Sequence, residues 1–213
     1  LYGIAGPQGG ATAPERQRET LTLAAELIAG GAPVVQLRDK GASGRELLET
    51  ARLLRRSTRD AGVLFVVNDR LDIALLSQAD GVHVGQDDLP VEAVRSVATD
   101  LGRPDLLVGL STHDLDQVRA SVTQDIDYIG FGPVFGTSTK SNALSARGTG
   151  LLAEAVRLAG ARPVVAIGGI SMSTAEAIAR SGVRMAAVIG DVVKALDRAR
   201  RAQDLHAVLS TSG

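Results

Sequence analysis

The run Val34-Val35-Gln36-Leu37-Arg38-Asp39-Lys40 begins apolar and becomes, at alternate positions, a set of side chains able to hold an anion. In an extended strand residues two apart share a face, so Gln36, Arg38 and Lys40 point one way and Leu37 the other. Two cations side by side at the end of a buried strand repel each other and lose hydration, which an anion between them offsets. Phosphate or pyrophosphate fits best, because Arg offers two parallel donors and Lys a point charge. The competing reading pairs the same cations with Asp39 or Asp69 for structure alone.

Other residues extend the chemistry. Asp69 and Asp88 follow neighbouring strand-like runs, so their carboxylates can converge on a hard cation; Mg²⁺ commonly takes one or two carboxylates, with water and substrate phosphate completing its shell. The alternative is that both aspartates are helix N-caps. Asp87 is adjacent and could serve in place of Asp88. Asn68 offers a donor and an acceptor to a phosphate oxygen or a heterocycle edge. Gly168-Gly169 beyond Val164-Val165-Ala166-Ile167, with Ile189-Gly190 ahead of the last helical stretch, has the makings of a phosphate cradle built from backbone N–H groups. His83 lies among apolar neighbours and reads as a satisfied interior histidine, whereas His113 is either an acid–base group or, beside Asp114, the start of a surface helix. No nucleophile with an evident base is apparent, so covalent catalysis is not indicated. Two anion sites and one metal site describe a reaction in which pyrophosphate departs and a second phosphorylated molecule attacks.

Something must bring these residues together. Short strand-like runs alternate with amphipathic stretches along the whole chain, the pattern of a parallel sheet wrapped by helices. Strands are expected near Leu1–Ala5, Pro33–Arg38, Leu64–Val67, Gly81–Val84, Leu106–Leu110, Asp127–Phe131, Pro163–Ile167 and Met185–Ile189. Helices are expected at Thr20–Ala29, Gly44–Asp60 and Asp191–Leu209, among others, from apolar residues at three- and four-residue steps. Eight such repeats in 213 residues match a minimal α/β fold, the (β/α)8 TIM barrel, as one domain spanning 1–213. The longest irregular piece is Gly132 to Gly150, polar through its middle and of functional length. In such a barrel the site lies at the carboxyl ends of the strands, and the polar residues named above collect there, joined by Ser111-Thr112-His113 after strand five and Thr137-Ser138-Thr139-Lys140 after strand six.

Composition narrows the partners. Lys+Arg 23 against Asp+Glu 24, with 2% aromatic residues, provides neither the charge nor the stacking surface of a nucleic-acid binder. The phosphate chemistry is therefore that of small molecules. No apolar run is long enough to span a membrane, and the absence of Cys removes disulfides and thiolates and agrees with a cytoplasmic protein. No secretory leader precedes Leu1; because the chain does not begin with Met, a removed leader stays open, as does assembly into a homo-oligomer.

Several motifs, taken in order, resemble the thiamine phosphate synthase family over essentially the full length. They are Gln36-Leu37-Arg38-Asp39-Lys40, Asn68-Asp69, Gly81-Val82-His83-Val84-Gly85-Gln86-Asp87-Asp88, Gly109-Leu110-Ser111-Thr112-His113, Asp127-Tyr128-Ile129-Gly130 with Gly132-Pro133, Thr137-Ser138-Thr139-Lys140 and Ala166-Ile167-Gly168-Gly169-Ile170. The resemblance implies a (β/α)8 barrel that joins a hydroxymethylpyrimidine diphosphate to a hydroxyethylthiazole phosphate, with one Mg²⁺ per site. It implies that Gln36, Leu37, Arg38, Asp39, Lys40, Asn68, Ser111 and Lys140 hold the pyrimidine diphosphate and that Asp69 and Asp88 hold Mg²⁺. Thr137, Thr139, Gly169 and the Ile189-Gly190 turn would receive the thiazole phosphate, and Ser138 would be a further substrate contact. Arg38, Lys40, Lys140 and Ser111 would be the catalytic set, in a dissociative reaction where pyrophosphate leaves first.

The chain departs from the family pattern at Gly190, where Ser is common, and over Ser141 to Gly150. Two related readings compete: a thiazole tautomerase-like isomerase, with His113 as acid–base residue, and a non-catalytic thiazole phosphate-binding regulator. The isomerase has no use for a pyrophosphate site, and the regulator has no use for metal carboxylates.

Overall fold

The computed structural model describes residues 1–9, 12–136 and 146–210. Eight parallel strands close on themselves in sequence order: β1 (Tyr2–Ala5), β2 (Val34–Leu37), β3 (Leu64–Asn68), β4 (Gly81–Val84), β5 (Leu107–Thr112), β6 (Tyr128–Phe131), β7 (Val164–Ile167) and β8 (Met185–Val188). The helices are α1 (Ala13–Ala29), α2 (Gly44–Asp60), α3 (Leu71–Leu76), α4 (Val91–Asp100), α5 (Leu115–Ser121), α6 (Gly148–Ala159), α7 (Met172–Ala179), α8 (Gly190–Val193) and α9 (Arg198–Ser210). A β/α alternation in which every strand pairs with its sequence neighbour, and β1 with β8, is a TIM barrel.

Strand alternation divides the apolar residues between two cores. Val35, Leu37, Phe65, Val82, Val108 and Ile129 face outward and pack with Leu23, Leu27 and Leu54 of the helices. Helix α2 shows why it docks there: Leu47, Ala51, Leu54 and Thr58 recur at three- and four-residue steps on its buried face. Its start is fixed by Ser43, whose amide donates to Glu46 Oε2 at 2.8 Å. Tyr2, Ile4, Val34, Val66, Tyr128, Val165 and Ala187 face inward and fill the barrel.

Most expected strands shift by one or two residues at an edge, and three larger differences concern the helices. Helix α1 begins at Ala13 rather than Thr20, because Glu15 accepts a bond from the Thr12 amide at 3.0 Å and Pro14 suits a first turn. The expected helix over Asp191–Leu209 is two helices: Asp197 Oδ1 accepts from the Arg200 amide at 2.9 Å and starts α9 afresh. Helix α6 takes up the last residues of the irregular piece from Gly148.

Inside the barrel, the register sets His83 opposite Gly109 and Gly109 opposite Tyr128. A side chain between them would keep the two rings apart. With glycine there, His83 and Tyr128 stack with ring centroids 5.4 Å apart and planes at 30°. A Cβ on Gly109 would overlap Tyr128 and His83 together, and one on Gly130 would come within 3.0 Å of His83 Cε1. Gly109→Ala is therefore expected to cost about 1–3 kcal/mol through overpacking. Urea unfolding checks it: the midpoint falls at unchanged slope, and an unmoved midpoint contradicts the packing described.

Candidate active site

The carboxyl ends of β2, β3 and β4 bring three charged groups into contact. Arg38 leaves β2 with its amide on the Ala5 carbonyl at 2.8 Å, and its half-buried side chain makes no hydrogen bond or ion pair among the described residues. Lys40 follows on the turn, exposed, with Nζ 3.3 Å from Asp69 Oδ2. Asp39 is engaged elsewhere: Arg16 Nε donates to Oδ2 at 3.2 Å and the Gly41 amide to Oδ1 at 2.9 Å. Its carboxylate braces the turn that carries Lys40. Leu37 is buried among the helices, so its side chain points away from the rim.

Asp69 has φ 61°, in the left-handed region that costs a non-glycine residue roughly 1–2 kcal/mol. The strain is held by its amide, which donates to the His83 carbonyl at 2.7 Å, and by Arg70, whose amide donates to the Asn68 carbonyl at 2.7 Å. This kink turns the Asp69 carboxyl toward Asp88 and Lys40. Burial and the negative charge of Asp88 raise its pKa, outweighing the opposing pull of Lys40. On the next loop Asp88 Oδ2 accepts from the Gly85 amide at 2.7 Å, and Gln86 Nε2 donates to the Ser111 carbonyl at 2.7 Å, tying that loop to β5. Neither aspartate is a helix N-cap; those positions belong to Arg70 and Pro90. Asp88, not Asp87, is the carboxylate that faces Asp69.

Two carboxylates forced together beside an exposed lysine form a donor set suited to a hard divalent cation. Among the described residues no cluster of three or more potential ligands exists. A cation here would complete its shell with water and phosphate oxygens, the habit of Mg²⁺.

Ser111 ends a chain of buried polar groups crossing the barrel. Gln36 Nε2 donates to Tyr2 Oη at 2.9 Å, Tyr2 Oη lies 2.8 Å from Tyr128 Oη, Tyr128 Oη 3.0 Å from His83 Nδ1, and His83 Nε2 2.8 Å from Ser111 Oγ. Burial pushes both phenols up, so the chain is uncharged through its middle. Here the structure corrects the sequence expectation that no hydroxyl has a base nearby: Ser111 has an imidazole within hydrogen-bond reach. Tyr2 and Tyr128, the only tyrosines, were also absent from the candidate residues. They lie 126 positions apart, and only the closed barrel joins them.

Across the rim, Gly168 and Gly169 have φ 97° and 65°. A Cβ on Gly168 would come within 2.7 Å of Pro133, and one on Gly169 within 2.6 Å of Phe135 and the Gly136 carbonyl. These glycines let the loop after β6 lie directly on β7, where the Val134 amide donates to the Ile167 carbonyl at 2.8 Å and the Phe135 amide to the Gly168 carbonyl at 3.1 Å. His113 joins the same loop, Nδ1 lying 2.6 Å from the Gly132 carbonyl, while Asp114 caps α5. Ile189 precedes α8 and Gly190 opens it, with space around the position a Cβ would occupy. Asn68 lies half-buried at the end of β3, opposite His83. Thr137, Ser138, Thr139 and Lys140 lie outside the described residues.

The fold and this polar rim define a TIM-barrel protein with its candidate site at the carboxyl end of the sheet. Residues 1–192 match the family described as "Thiamine monophosphate synthase". Thiamine-phosphate synthase of Moorella thermoacetica is 42% identical over 193 residues, covering 91% of this chain and 90% of that protein. The Chloroflexus aurantiacus protein of the same name is 44% identical over 185 residues, covering 87% and 83%. The solved structure of thiamine phosphate pyrophosphorylase from Pyrococcus furiosus superposes with TM-score 0.83 at 32% identity, covering 98% of this chain and 94% of that one. The chain belongs to the thiamine monophosphate synthase family. Among the described residues no helix is long and apolar enough to cross a membrane.

The raised Asp69 carboxyl means that its charged form costs folding energy. Protons bind the folded state more readily, so this cost is present in full above the raised value and disappears as pH falls to the ordinary 3.8. Asp69→Asn keeps a residue type that tolerates left-handed backbone and removes the repulsion. It should raise the thermal midpoint at neutral pH, with the gain vanishing below about pH 4. A midpoint that falls at neutral pH contradicts the assignment.

Proposed function

We propose that the protein couples a hydroxymethylpyrimidine diphosphate to a hydroxyethylthiazole phosphate, giving thiamine phosphate and pyrophosphate by Mg²⁺-assisted dissociative substitution. The observation that carries this reading is the meeting of Lys40, Asp69 and Asp88 at one rim, beside Arg38, whose side chain has no ion pair among the described residues. Asp69 and Asp88 would hold the Mg²⁺, which supplies charge neutralisation to the departing diphosphate. Arg38, Lys40 and Lys140 bind diphosphate oxygens and favour the negative charge that grows on them. Gln36, Asn68 and Ser111 hold the pyrimidine, while Leu37 and Asp39 contribute by fixing the strand end and its turn. The methylene C–O bond breaks with its electron pair leaving on pyrophosphate, and the thiazole nitrogen donates its pair to the resulting carbocation.

Thr137, Ser138 and Thr139 with Gly169 and the Ile189-Gly190 turn receive the thiazole phosphate. The open space at Gly190 leaves backbone amides as the donors of that corner. An isomerase or a binding-only relative would have no need for Arg38 and Lys40 beside two facing carboxylates. A small-molecule reaction in the cytoplasm accords with the balanced charge and the absence of cysteine.

Incubation with both phosphorylated substrates, with and without Mg²⁺, tests the reading by detection of thiamine phosphate. Product should form only with the metal. Arg38→Ala and Lys140→Ala should each lower kcat roughly 10²–10³-fold while circular dichroism stays unchanged. Full activity in either variant refutes that residue's role.

A further inference from the structure

We infer that Gln36, Tyr2, Tyr128 and His83 form a one-way hydrogen-bond chain that fixes Ser111 as a hydrogen-bond donor to the substrate rather than a nucleophile. The inference rests on the proposed function only for the identity of that substrate, the pyrimidine diphosphate. Tyr2, Tyr128 and His83 are then positioning residues acting through Ser111.

The argument counts protons. The Gln36 amide nitrogen has only protons to give, and it gives one to Tyr2 Oη at 2.9 Å. A phenol that has accepted at its oxygen still has one proton to place, and among the described residues the other hydrogen-bond partner of Tyr2 Oη is Tyr128 Oη at 2.8 Å. Tyr128, having accepted from Tyr2, sends its own proton to His83 Nδ1 at 3.0 Å. A neutral imidazole carries a single N–H, so an accepting Nδ1 requires the proton on Nε2. That nitrogen lies 2.8 Å from Ser111 Oγ, which accepts from it and keeps its own proton for a ligand acceptor.

Reversing the first link reverses all the others. With the Gln36 carbonyl toward Tyr2, Nδ1 would carry the proton and Nε2 would take that of Ser111, the arrangement of an activated nucleophile. A single amide at the far side of the barrel therefore selects between two chemistries at Ser111. The route is built into the fold: Gly109 clears the space between the two rings, and every member of the chain is buried, Gln36 to 3% and His83 to 5% exposure. At such burial each link polarises the next, because the low local dielectric strengthens every bond in the chain.

The chain has three histidines, His83, His113 and His206, so single substitutions assign their signals in ¹H–¹⁵N NMR of the full chain without substrate. The expected result is the Nε2–H tautomer for wild-type His83. Tyr2→Phe, which cuts the chain ahead of Tyr128, should give a mixture of tautomers and raise KM for the pyrimidine diphosphate about tenfold, leaving KM for the thiazole phosphate unchanged. Added to Ser111→Ala it should cause no further rise, whereas a purely structural tyrosine would add its own. Wild-type His83 protonated at Nδ1, or Tyr2→Phe with tautomer and both KM values unchanged, overturns the inference. Should Tyr2→Phe fail to fold, the wild-type tautomer still decides. Because the tautomer is read without substrate, an inactive wild-type protein overturns the functional reading alone.

Discussion

Two carboxylates facing each other beside one exposed lysine are an arrangement that folding opposes. Asp69 and Asp88 repel, burial penalises the charge, and Asp69 adopts left-handed backbone to reach its place. Each cost is modest, yet a protein of ordinary stability has only about 5–15 kcal/mol in reserve. The arrangement persists because its supports lie in the sheet itself. The Asp69 amide is held by the carbonyl of His83 on β4, and the Asp88 loop is held through Gln86 to the end of β5. Closure of the barrel thus forces together charges that would separate on a flexible surface.

The same closure organises the interior. A parallel barrel core is ordinarily filled by branched apolar side chains. Here part of the filling is Gln36, Tyr2, Tyr128, His83 and Ser111, and glycines on β5 and β6 make room for them. Buried polar groups are costly unless each finds a partner, so the chain stands or falls as a unit. It connects two strand ends that carry candidate substrate ligands, and interior packing and site chemistry are therefore not separable in this protein.

Much of this organisation is readable from sequence. The expected strand Gly81–Val84 and helix Gly44–Asp60 appear with those bounds, because turn residues flank a short apolar run in one case and a capping pair opens an amphipathic run in the other. The start of α1 and the break before α9 also had local signals, Thr12 to Glu15 and Asp197, outweighed by the apolar periodicity around them. The bond between Tyr2 and Tyr128 had none. Period-two alternation says that a residue faces inward, and only closure and register say which inward residues from distant strands touch. Likewise, adjacency in sequence leaves Asp87 as a substitute for Asp88, and the turn closed on the Gly85 amide distinguishes them.

The most direct measurement of the central claim is calorimetric binding of pyrophosphate to the full chain with and without Mg²⁺, in the wild type and in Asp69→Asn and Asp88→Asn. If the two aspartates and the neighbouring cations form one diphosphate-drawing site, wild-type affinity rises at least tenfold with the metal and that rise is lost in both variants. Equal affinity with and without Mg²⁺, or a metal effect that survives both substitutions, would contradict the account.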